Sequence, residues 1–244
     1  MNRVEKRFVL TVLVAVIYLI WFYMVSKFFF DNDMLIGIHN LTKDNIFIKL
    51  ADDYLAMLFF PTIIIIINRK NLKEYGLKLD SKKEIFILFG IMITFFILHN
   101  DFTLRGFYKF FFHLIVVSFG EEFFFRGFIY NRLKTKSVVI AIILSGMLWG
   151  IGHAILPAIL SEESIIQMLS AMRYEVFGGI ISGWYFIYLQ EQSRTIWVPV
   201  LIHALLNYTF SFFGQLVAVI IFIYFKLKSK KDLEFQTSVK ELKQ

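Results

Sequence analysis

"FGEEFFFRGF", residues 119–128, sets two glutamates and an arginine in a stretch that is otherwise apolar, with "FYKFFFHLIVVS" before it and "IY" after it. A charge at the centre of a membrane helix costs about 2.5–3.5 kcal/mol on insertion scales, so three of them persist there only with partners. Glu122 and Arg126 stand four apart, acid before base, the spacing that puts an ion pair on one helical face. Glu121 is turned by about 100° from Glu122 on an α-helix and points elsewhere, which leaves one carboxylate needing a proton, a cation or a water. A helix ending near Gly120 would put all three charges in a loop, but the apolar "FFFRGFIY" that follows argues that the helix continues.

The rest of the chain supports a membrane reading. Its 244 residues are 58% hydrophobic and 18% aromatic, with 30 Phe and only 3 Pro, and the mean hydropathy is +0.66, outside the range of soluble domains. The 18% of charged residues crowd between apolar runs at 8–26, 54–68, 84–98, 107–129, 138–154, 165–189 and 197–225. The expected fold is therefore an all-α, polytopic transmembrane bundle of seven to eight membrane helices. The basic start followed by the long run 8–26, with no small-residue cleavage site, reads as a retained first helix. Basic residues (Arg3, Lys6 and Arg7, then Arg69 to Lys83, Arg132 to Lys136, Arg194 and the lysines after 226) mark a cytoplasmic side that includes the N-terminus. Acidic stretches at 31–33, 52–53 and 162–163 fall on the other side. Two crossings within 197–225 do not fit as full spans, so short broken helices near 211–215 are expected, with seven spans as the alternative. The domain reading is N-terminal membrane helices over 1–106, a membrane core over 107–225 and a solvated basic tail over 226–244 that can meet anionic lipid. The net charge of +7 belongs to this juxtamembrane pattern and not to nucleic-acid binding, and the absence of Cys removes thiol catalysis, disulfides and thiolate metal sites.

Further polar groups interrupt the later spans. His153 follows Trp149 by one turn in "SGMLWGIGHAILP", where Gly146, Gly150 and Gly152 allow close helix approach and Pro157 is expected to weaken or end the helix. His203 and Asn207 share a face in "PVLIHALLNYTF", with Pro199 in the first turn. Glu121, His153 and the His203/Asn207 pair thus sit on three helices of alternating direction, as convergence in a bundle requires. A glutamate shielded from water is a candidate general base for a water molecule, one histidine can help hold that water, and the second histidine with the asparagine amide can meet a carbonyl oxyanion. That set points to peptide-bond hydrolysis in a membrane cavity. Zinc held by Glu121, His153 and His203 is the competing chemistry; Asn207, a poor zinc ligand and a good oxyanion donor, favours the reading without a metal or other cofactor. His113 is a possible helper, while His39, His99, Trp21, Trp184 and Trp197 read as loop, interface or packing residues.

In this order the residues resemble the CAAX prenyl protease 2 family, also called the CPBP or Abi family of intramembrane endopeptidases. Glu121-Glu122-x-x-x-Arg126 resembles its first motif, Trp149-x-x-x-His153 its second, with Trp where Phe is usual, and His203-x-x-x-Asn207 its last. "FGGIISGWY", with Phe177, Gly179 and Gly183, resembles the small-residue helix between them, and the likeness covers about 107–213. The resemblance implies a core of about eight membrane helices, Glu121 and His153 activating water, Glu122, Arg126 and Trp149 supporting, and His203 with Asn207 forming the oxyanion hole. It also implies a membrane-embedded or amphipathic peptide or protein as substrate. Bacterial members are linked to peptide maturation, bacteriocin self-immunity or regulation of a sensor kinase, and the Ile-, Lys-, Asn- and Phe-rich composition points to a low-GC bacterium and its plasma membrane. A non-catalytic scaffold or immunity protein of the same family is the rival reading; a transporter lacks the repeated halves it needs.

Overall fold

A computed structural model describes residues 2–241, and among them all regular structure is helical. We number eight helices: α1 Arg3–Asp31, α2 Ile46–Ile67, α3 Lys82–Leu98, α4 104–133, α5 Val138–Leu160, α6 Ile165–Ser193, α7 Trp197–Tyr208 and α8 Ser211–Glu241. The starts carry local chemistry. Asn2 with Glu5 and Ser164 with Gln167 form capping boxes on α1 and α6, while Thr103 and Ser137 cap α4 and α5. The all-α membrane bundle expected from composition is the architecture observed. By length and hydropathy alone, Arg3–Asp31, Ile46–Ile67, Val138–Leu160 and Phe212–Lys231 are able to cross a membrane. α4 falls outside that set because its own site residues are charged.

Several boundaries differ from the expectation. α2 begins at Ile46, not near 54, and it buries Lys49, Asp52 and Asp53, so the latter two are not loop acids. Lys49 pairs with both aspartates, and Asp53 also accepts from Tyr108, which removes the cost that made a helix here look unfavourable. α5 runs through Pro157 to Leu160; the proline leaves the carbonyl of His153 without its helical partner yet does not stop the helix. The segment 197–225 breaks at Thr209 and Phe210, ahead of the expected place, into the 12-residue α7 and the 31-residue α8. At 1.5 Å per residue α7 is about 18 Å long, a half-span, whereas α8 is about 46 Å long. α8 has that length because it continues through the lysines expected to lie in a solvated tail, where Lys228 and Tyr224 both bond Glu84 of α3, at 3.0 and 2.7 Å. The part of the expected tail at 242–244 lies outside the described residues.

The basic segments gather at one end of the bundle, as their pattern required. Arg132 of α4 donates to Thr11 of α1 at 3.1 Å, Lys134 pairs with Glu191 of α6 at 2.7 Å, and the backbone N–H of Ile196 donates to Gly76 at 3.0 Å. At the other end, Arg105 donates to the Leu41 carbonyl and Tyr208 to Asp101.

α5 and α6 cross on glycine. A Cβ on Gly146 would stand 2.6 Å from the Cα of Ile180, and one on Gly183 would stand 3.0 Å from the Cα of Gly146. Gly150 and Gly179 are equally closed by backbone, while Gly178 has nothing within 4 Å. Lipid offers no hydrophobic drive for two helices to meet, so this approach of backbones is what holds the pair. In detergent, Gly179→Val is therefore expected to destabilise by about 1–3 kcal/mol or more through overpacking, while Gly178→Ala leaves thermal unfolding unchanged. Equal midpoints for the two variants would contradict the crossing.

Candidate active site

α4 carries the densest part of the site. Its hydrogen bonding is π-helical over Phe112–Phe119 and again over Glu122–Tyr130, and Gly120 and Glu121 form the α-type junction between the two stretches. A π turn holds more residues than an α turn, so successive side chains are separated by less than in an α-helix. Glu121 and Glu122 engage different partners, and His203 stands between them with Nε2 toward Glu121 and Nδ1 toward Glu122. The helix does not end near Gly120, and Glu122 and Arg126 are both 0% exposed.

Glu122 is the inner carboxylate. Its Oε1 lies 3.3 Å from Nη1 of Arg126 and 2.9 Å from Nδ1 of His203 on α7. The Arg126 guanidinium makes no hydrogen bond among the described residues; its charge is met by Glu122 and by two ring faces, Trp149 at 4.7 Å and Phe186 at 5.2 Å. Phe186 of α6 also stacks on His203, with centroids 5.2 Å apart and planes at 24°. Sequence reasoning missed Phe186, because nothing in "GWYFIY" separates it from its aromatic neighbours.

Glu121 is the outer carboxylate, engaging its neighbours through Oε2. The indole N–H of Trp149 donates to that oxygen at 2.5 Å, Nε2 of His153 lies 3.5 Å away and Nε2 of His203 4.0 Å away. Trp149 and His153 touch edge to face at 4.2 Å. All six of Glu121, Glu122, Arg126, Trp149, His153 and His203 are therefore brought together from α4, α5 and α7. Asn207 stands one turn beyond His203, exposed and without a hydrogen bond to the described residues. His113 is not hydrogen-bonded to this cluster, and its ring stands 6.1 Å from that of Tyr208. The site is closed on most sides: the His203 and Glu121 side chains are 6% and 11% exposed, whereas His153 is 40% exposed and marks the opening. Among the described residues no group of three or more His, Asp or Glu gathers as a metal site; in the zinc alternative the Glu121 oxygen facing both imidazoles is already taken by the indole proton.

Residues 103–209 match the model of the family described as Type II CAAX prenyl endopeptidase Rce1-like. The matched interval runs from the cap of α4 to the break after α7 and so contains every residue of the cluster. No curated protein and no solved structure matches the chain.

Removing one member of a buried ion pair strands the other, at a cost of about 3–5 kcal/mol. Arg126→Met should accordingly lower stability by that order, and adding Glu122→Gln should restore part of the loss. Additive losses in denaturant titrations of the single and double variants would show that the two side chains are not coupled.

Proposed function

We propose, on the premise that the chain belongs to the type II CAAX prenyl endopeptidase family, that it is an intramembrane endopeptidase in which Glu121 activates a water to cut a membrane-associated peptide. The chain is a membrane protein of a protease family; the residue roles are our reading. The observation that carries them is the convergence on one Glu121 oxygen of a tryptophan N–H and the Nε2 atoms of two histidines from separate helices.

In this mechanism the indole of Trp149 fixes Oε2 and leaves Oε1 of Glu121 to take the proton of a water at the mouth of the site. His153, the exposed imidazole, hydrogen-bonds that water. The water oxygen attacks the scissile carbonyl carbon, the carbonyl π electrons move to oxygen, and the resulting oxyanion is met by the Asn207 amide and by the Nε2–H of His203, whose Nδ1–H donates to Glu122. Collapse of the tetrahedral intermediate breaks the C–N bond, and Glu121 returns its proton to the departing amine. Glu122 and Arg126 hold the His203 ring from its other nitrogen and do not touch the substrate. The basic end of the bundle is assigned to the cytoplasmic side by its charge.

Reconstituted in liposomes, Glu121→Gln should lower peptide hydrolysis by about 10²–10⁴-fold, the usual worth of a general base, with thermal unfolding retained. Asn207→Ala should lower it by about 10²–10³-fold, as loss of one oxyanion donor does. A cellular phenotype that survives Glu121→Gln would favour the scaffold reading instead. Activity should also withstand a strong zinc chelator; loss on chelation and recovery with added zinc would replace the metal-free mechanism by zinc bound to Glu121, His153 and His203.

A further inference from the structure

α6 carries a second carboxylate beside the mouth of the site. Glu175 is exposed and has no partner among the described residues, although it lies eleven residues into a 29-residue helix, about 16 Å from the helix start at 1.5 Å per residue. Its backbone packs on Gly150, at the middle of the 23-residue α5, a helix long and apolar enough to cross a membrane. The adjacent cation does not serve it, because Arg173 turns back to the Ser170 hydroxyl at 2.8 Å. The glycine crossing fixes its place: Gly150 of α5 packs on the Glu175 carbonyl and stands so close that an added Cβ would be 2.9 Å from Cα of Val176. His153 is less than one turn further along α5. His153 is also the most exposed member of the Glu121 cluster, with 40% of its side chain open. Glu175 therefore stands on the helix beside the opening that His153 marks.

A carboxylate without a partner at that depth is unfavourable, and a cation brought by a ligand removes the cost. We infer that Glu175 is a substrate-recognition residue that pairs with a lysine or arginine side chain beside the scissile bond of a membrane-associated peptide. This rests on the proteolytic reading above and names the substrate class for that site.

The test uses the full chain carrying Glu121→Gln in lipid nanodiscs, and a fluorescent Leu/Ala peptide with one central Lys, Gln or Glu. Anisotropy should show the Lys peptide binding about tenfold tighter than the Gln peptide, as one added ion pair of about 1.4 kcal/mol gives. Glu175→Gln should abolish the difference, and Glu175→Lys should reverse it in favour of the Glu peptide. Equal binding of the three peptides, no binding of any, or a Lys preference that persists in Glu175→Gln overturns the inference. The same peptides given to the protein with Glu121 intact separate the two readings. A Glu175-dependent Lys preference without cleavage upholds recognition and removes proteolysis; cleavage without a Lys preference does the reverse.

Discussion

A guanidinium and a carboxylate with no access to water must find all of their partners inside the bundle, and that requirement organises the rest of the site. Glu122 and Arg126 are both fully buried, 3.3 Å apart. Glu122 reaches α7 through His203, and Arg126 reaches α5 through the face of Trp149 and α6 through the face of Phe186. Four helices are thereby bound to one pair of charges. The Coulombic attraction of such a pair roughly offsets its desolvation, so its worth lies less in net stability than in the penalty for any arrangement that separates it. The glycine crossing of α5 and α6 is the steric counterpart, since it brings Trp149 and Phe186 close enough to close over the guanidinium.

From that arrangement follows the asymmetry of the two adjacent glutamates. One imidazole, His203, stands between them with Nδ1 toward Glu122 and Nε2 toward Glu121. The inner carboxylate is fully buried and engages Arg126 and His203 through Oε1. The outer one is held through Oε2 by an indole proton and flanked by a half-exposed histidine. The helix itself is irregular here: π-type hydrogen bonding flanks Glu121 on both sides, and such stretches frequently mark functional sites.

How much of this was legible in the sequence depended on the range of the interaction. The Glu122–Arg126 pair and the proximity of Trp149 to His153 are one-turn relations, and α-helical spacing alone places them. The gathering of basic segments at one end follows from charge pattern. What needed coordinates was long-range or cooperative. Phe186 looks like any other aromatic until α6 is docked by its glycines. Lys49, Asp52 and Asp53 resemble a loop because their mutual neutralisation, completed by Tyr108, is invisible to a hydropathy count. The continuation of α8 past Phe225 was hidden for the same reason, because Lys228 is accommodated by Glu84 from a helix far away in sequence.

The central claim is that a peptide carbonyl is held against His203 and Asn207 while a water sits on Glu121. An experimental structure of the Glu121→Gln protein with a bound peptide examines it most directly. The account predicts a backbone carbonyl oxygen within about 3.2 Å of both His203 Nε2 and the Asn207 amide, with the side chain of residue 121 facing the adjacent carbonyl carbon across one water. A peptide seated elsewhere, for example in the 390 Å³ cavity between Tyr23, Lys27 and Glu162, with the Glu121 cluster untouched, would contradict it.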